Sequence, residues 1–102
     1  HLVAAGVPHD TPVVGTEGGR EFFRVLIKAE KDDMDVILAE EDIIDAGREL
    51  LARHPDVGAV VLECTNMPPF AAALRDALDV PIFDIYSMIS WFHAGLRPRI
   101  WA

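Results

Sequence analysis

One cysteine among 102 residues cannot close an internal disulfide, so no covalent staple holds this fold. No apolar run approaches the roughly 20 residues that a membrane-spanning helix needs. Together these absences favour a reducing, soluble compartment, and the cytoplasm is the expected location. No secretory leader is visible, although a start lying upstream would hide one. Basic residues are scarce: nine Lys and Arg face seventeen Asp and Glu, and the net charge of −8 disfavours nucleic acid and anionic membranes as partners. Internal repeats, low-complexity tracts and linkers are absent, and a chain of this length makes one domain at most. It opens on His1 rather than methionine, hence the expectation of a fragment. What remains is ordinary globular composition, half hydrophobic and a quarter charged.

Val57 to Phe70, VGAVVLECTNMPPF, is the stretch around which the rest is organised. Val57, Ala59, Val60, Val61 and Leu62 form the short β-branched run expected of a strand buried on both faces of a parallel sheet. Glu63-Cys64-Thr65-Asn66 ends it, and Pro68 and Pro69 suit the opening turn of a helix, where a missing N–H costs nothing. The polar cluster therefore sits at a strand-to-helix turn, the place where open α/β sheets bind ligands. The amides expected to be free there are those of Thr65, Asn66 and Met67. A helix N-terminus favours a thiolate at Cys64, whereas the charge of Glu63 opposes it, although strand alternation turns that carboxylate to the other face. A lone cysteine is otherwise a small buried hydrophobe, and that alternative stays open on the residues alone.

Before this stretch, His1 to Gly6 has the pattern of a helix end with Gly6 as its cap, Val13 to Gly15 that of a brief strand, and Thr16-Glu17-Gly18-Gly19 that of a tight turn. Phe22, Phe23, Leu26 and Ile27 recur at helical spacing from Arg20 to about Glu30. Between Glu30 and Asp45 stand eight acidic residues and one lysine without the glycine or register of a calcium loop, so no metal site is expected. A solvated loop leads to a helix whose first turn holds Glu40, Glu41 and Asp42, with a buried stripe of Ile43, Ile44, Ala46, Gly47, Leu50 and Leu51. After it, Phe70, Ala71, Leu74, Ala77 and Leu78 mark a helix packed on a sheet, Val80 to Phe83 a strand, and Asp84 the N-cap of a helix from Ile85 to Leu96. That last helix is expected to bury Ile85, Met88, Ile89 and Phe92, with His93 beside that face. The tail with Trp101 shows no pattern. The expected fold class is α/β, a parallel sheet of three strands with flanking helices.

The string LECTNMPP, followed by an amphipathic helix, VPIFDI and a second helix, resembles the C-terminal lobe of the aspartate/glutamate/hydantoin racemase superfamily. The resemblance covers Val57 to Leu96 well and the part before it more loosely. Cys64 and Thr65 match that family's Gly-Cys-Thr-His-type turn, whereas Glu63 and Asn66 depart from it and disfavour a standard glutamate racemase. It implies one lobe of a two-lobed fold spanning residues 1–102, with the N-terminal lobe elsewhere, and a cofactor-independent enzyme. Such an enzyme acts at the carbon next to a carboxylate, on an amino acid or related small acid.

Cys64 would then be the acid/base on one face, a second cysteine would come from the other lobe, and Thr65 with the amides of Asn66 and Met67 would hold the substrate carboxylate. The fragment alone is expected to be inactive and to pair with its missing lobe or form a homo-oligomer. Two alternatives stand beside the racemase: a single-cysteine decarboxylase or isomerase of the same superfamily, and a non-catalytic α/β module that binds a small anion or serves assembly.

Overall fold

Two aspartates set the starts of the two long helices. In the computed structural model, which describes residues 1–29 and 33–102, Asp35 caps α2 (Val36–Arg53), its Oδ1 accepting the N–H groups of Ile37 and Leu38 at 3.1 Å. Asp84 caps α4 (Ile85–Leu96) through a reciprocal pair: Ser87 N–H donates to Asp84 Oδ1 at 2.7 Å, and Asp84 N–H donates to Ser87 Oγ at 3.0 Å. The cap expected at Asp84 is thus present. The helix expected to start near Glu40 starts a turn earlier, because Asp35 offers its orphan donors a better acceptor than any residue of the Glu40 cluster.

The chain divides into two compact units, His1–Asp56 and Val57–Ala102. In the first, Gly6 at φ +81° closes a single turn, with its N–H donating to Val3 O and Val7 N–H donating to Leu2 O. That bond pair is the glycine-terminated end predicted there, without a longer helix before it. Val13 to Gly15 do not form a strand, since no described segment offers them a hydrogen-bonded partner. Thr16 to Gly19 close the expected turn, Gly19 N–H donating to Thr16 O at 2.9 Å. The helix predicted from Arg20 to Glu30 is shorter, α1 (Phe22–Leu26). Glu30, Lys31 and Asp32 lie outside the described residues.

Asp42 overturns the expectation of a fully solvated acidic run. It is buried on α2 beside Ala39 and Ile43, and its carboxylate accepts the backbone N–H groups of Arg20 at 2.9 Å, Glu21 at 2.6 Å and Phe22 at 3.0 Å. One helix therefore caps the other across 20 to 22 residues of sequence. Glu21, also buried, returns the favour by accepting Asp35 N–H at 2.7 Å. Of the predicted stripe of α2, Ile43 and Gly47 are buried, while Ile44, Ala46, Leu50 and Leu51 are half-buried.

The turn before α1 is matched to that carboxylate. A Cβ on Gly19 would lie 2.8 Å from Asp42 Cγ and 2.9 Å from its Oδ2. Gly19→Ala is therefore expected to destabilise the first unit by about 1–3 kcal/mol through overpacking. A lowered urea midpoint measures it; an unchanged midpoint would mean that Asp42 can retreat without losing its donors.

The second unit is mixed α/β. Strands β1 (Val60–Val61) and β2 (Ile82–Phe83) pair in parallel with Val60 opposite Ile82 and Val61 opposite Phe83, joined through α3 (Ala71–Leu78). Val60 N–H donates to Pro81 O at 2.9 Å, and Leu62 N–H to Phe83 O at 2.8 Å. Among the described residues the sheet has two strands, not three. Phe70 and Leu74 are buried, as the apolar spacing of α3 predicts, and so are Val60 and Leu62 at the first strand.

Burial on both faces of β1 is not found: Val61 is 70 % exposed. The four residues expected to be buried on α4, Ile85, Met88, Ile89 and Phe92, are exposed, as is His93. Periodicity tells which residues share a face, and whether anything covers that face depends on elements elsewhere. In the tail, the Arg99 guanidinium lies 4.6 Å from the Trp101 ring. No helix among the described residues is long and apolar enough to cross a membrane.

Candidate functional site

Parallel pairing brings the carboxyl ends of β1 and β2 side by side, so the turn after Leu62 and the cap at Asp84 share one edge of the sheet. The chain leaves β1 through Glu63, which is exposed, and Cys64, which is half-buried and a free thiol. Thr65 and Asn66 are exposed, and Met67 is half-buried. Met67 N–H donates to Cys64 O at 3.1 Å, and Phe70 N–H donates to Met67 O at 2.9 Å. The first bond closes a tight turn over residues 64–67, and the second opens the 3₁₀ turn Pro68–Phe70 that runs on into α3.

Pro68 and Pro69 occupy the first two helical positions, as expected, and bring no N–H of their own. Of the three amides expected to be free, that of Met67 is engaged within the turn. Those of Thr65 and Asn66 take no partner among the described residues, which leaves two adjacent donors beside the thiol. These two backbone donors and the thiol lie together in one turn at the strand edge. Among the described residues no group of three or more His, Cys, Asp and Glu is placed to hold a metal ion.

In the first unit, Asp42 is the polar group that sequence reasoning missed. Burial pushes its pKa up, but donation from the N–H groups of Arg20, Phe22 and Glu21 and from the Arg20 guanidinium, at 3.4 Å, outweighs that cost. Its pKa lies below the ordinary carboxylate value. A signal existed: Asp42 falls between Ala39 and Ile43 on the apolar side of α2, where a solvated acid would not sit. Its three backbone bonds make it a structural acceptor.

The chain is 38 % identical over 67 residues, 66 % of its length and 13 % of the relative's, to dimethylsulfoniopropionate lyase 5 of Emiliania huxleyi (strain CCMP1516). It is 30 % identical over 73 residues, 70 % of its length and 24 % of the relative's, to a dimethylsulfoniopropionate lyase of Durusdinium sp. clade D. To dimethylsulfoniopropionate lyase 3 of Emiliania huxleyi (strain CCMP1516) it is 30 % identical over 100 residues, 90 % of its length and 25 % of the relative's. The chain thus spans a quarter or less of the length of these relatives. No protein-family model and no solved structure matches it.

These relatives overturn the assignment to the aspartate/glutamate/hydantoin racemases, and with it the racemase and isomerase chemistry expected of the chain. They are lyases by name. The physical reason is plain in the turn itself. A cysteine at a strand edge is compatible with several reactions, and it carries no information on whether a group leaves from the substrate. Of the alternatives, the single-cysteine decarboxylase came nearest, since decarboxylation is also a lyase reaction.

Proposed function

We propose that the chain carries part of the active site of a lyase acting on dimethylsulfoniopropionate, and that Cys64 is the base. The observation that carries this is the 38 % identity over 67 residues to a lyase of that name. The substrate is a propionate with a dimethylsulfonium group on its β-carbon. Removing a proton from the α-carbon turns the C–H electron pair into a C=C bond and expels the C–S pair with sulfur. Neutral dimethyl sulfide and acrylate are the products, and the base keeps the proton.

One base is enough for such an elimination, which takes a proton and returns none to the carbon. A racemase needs an acid on the opposite face as well, whereas the elimination asks of this segment only the base that Cys64 can supply. The N–H groups of Thr65 and Asn66 hold the substrate carboxylate and take up charge as it spreads from the α-carbon. The Thr65 hydroxyl, next to the thiol, adds a further donor.

The test is product analysis on a protein of its relatives' length that contains this segment. Given dimethylsulfoniopropionate, it should release dimethyl sulfide and acrylate in equal amounts. Exchange of the α-hydrogen for solvent deuterium with no sulfide released would overturn the elimination and return the site to chemistry confined to the α-carbon.

A further inference from the structure

The exposed face of the second unit holds a cleft of about 670 Å³, within the usual range for small-molecule sites. Val61 and Glu63 from the end of β1, Phe83 and Asp84 from the end of β2, and Met88 and Trp91 from α4 line it. Glu63 directly precedes Cys64, so the cleft borders the turn described above. Its walls are apolar and aromatic. Its one nearly buried polar side chain is Asp84, 8 % exposed.

Asp84 Oδ1 is committed to the helix cap through Ser87 N–H. Oδ2 takes no hydrogen bond from a described residue, yet among the described residues no fully enclosed side-chain oxygen is without a partner. Oδ2 therefore meets open space, and the space that Asp84 lines is the cleft. One oxygen of this carboxylate serves the helix cap while the other reaches open space among apolar and aromatic walls, where it can pair with a cation.

The walls decide which kind. A metal ion or a primary ammonium would shed tightly held water against Phe83, Met88 and Trp91 and gain few oxygens in return. A cation wrapped in methyl groups loses little hydration there, touches the walls through its methyls, and is drawn to the ring faces by their quadrupoles. We infer that this cleft binds a methylated onium group. Resting on the lyase proposal, the group is the dimethylsulfonium end of the substrate, held by Asp84, Phe83 and Trp91 while the carboxylate lies at the Thr65–Asn66 amides.

Trimethylsulfonium, which has no carboxylate and cannot eliminate, is the probe, and tert-butanol is its uncharged counterpart. In calorimetric titration of the full chain, trimethylsulfonium should bind and tert-butanol should not. Asp84→Asn keeps a good N-cap while removing the charge, and Trp91→Leu keeps apolar bulk while removing the ring. Each should weaken trimethylsulfonium binding roughly tenfold and raise KM for dimethylsulfoniopropionate by a similar factor. Equal binding of the two probes, or unchanged binding in both variants, would overturn the inference. If Asp84→Asn fails to fold, Trp91→Leu decides alone, because Trp91 is 76 % exposed and its loss leaves the core intact. The two proposals fail separately. Onium binding that depends on Trp91 without sulfide release would sink the lyase and keep the cleft, whereas sulfide release with an unchanged KM in Trp91→Leu would do the reverse.

Discussion

Serine in place of Cys64 is expected to lower dimethyl sulfide release by about a thousandfold, in line with the 10²–10⁴-fold that a positioned general base contributes. The two side chains are nearly equal in volume, and Cys64 is half-buried, so the exchange leaves packing undisturbed. The turn survives too, because the bond that closes it runs from Met67 N–H to the Cys64 carbonyl and not to the side chain. What changes is the fraction of base. A thiol supplies thiolate near neutral pH, and an unassisted hydroxyl supplies almost none. Headspace gas chromatography measures the rate and far-ultraviolet circular dichroism the fold. Cys64→Ala should be as slow as the serine variant. A rate within about tenfold of the unmodified protein would remove Cys64 from the chemistry and move the base to another residue.

What could be read from the residues was local chemistry. Gly6 at the end of its turn, the proline pair opening the 3₁₀ turn, Asp84 as a cap and the bounds of α4 each depend on neighbours within four residues, and each is found as expected. What could not be read was anything that needs a distant partner. Val13 to Gly15 had the composition of a strand, but a strand exists only where another backbone pairs with it. Ile85, Met88, Ile89 and Phe92 had the spacing of a buried stripe, but spacing cannot supply the element that covers it.

The same division runs through the site. The turn at Cys64 was legible because a strand-end cysteine followed by a proline pair is a local pattern. The lyase chemistry in the relatives' names was not, since a strand-end cysteine is common to reactions that differ one carbon away. The cleft beside Asp84 escaped notice for a third reason. Phe83 and Trp91 are apolar, and in a sequence an apolar ring in a binding wall is indistinguishable from one in a core.

Replacing Asp42 should have the largest effect on the fold. Asp42→Ala leaves the N–H groups of Arg20, Glu21 and Phe22 without their acceptor, and two of those bonds are made in a buried setting. Leaving the two buried donors unmet costs about 2–6 kcal/mol, at about 1–3 kcal/mol for each. That is a large share of the 5–15 kcal/mol typical of a whole domain, so α1 should detach, with rapid hydrogen exchange at Arg20, Glu21 and Phe22 as the readout. Asp42→Asn keeps one acceptor oxygen but turns amide hydrogens toward backbone donors, and should fall between the two. The pH dependence carries a sign of its own. Because the folded pKa of Asp42 lies below its unfolded value of about 3.9, its contribution is in full force above that pH. It fades as the pH falls through the lower, folded value. The unmodified protein should therefore lose stability on acidification below about pH 4, and Asp42→Asn should lose less over the same interval. Parallel urea-midpoint curves for the two proteins from about pH 3 to 7 would show that the charge on Asp42 does not hold α1 to α2.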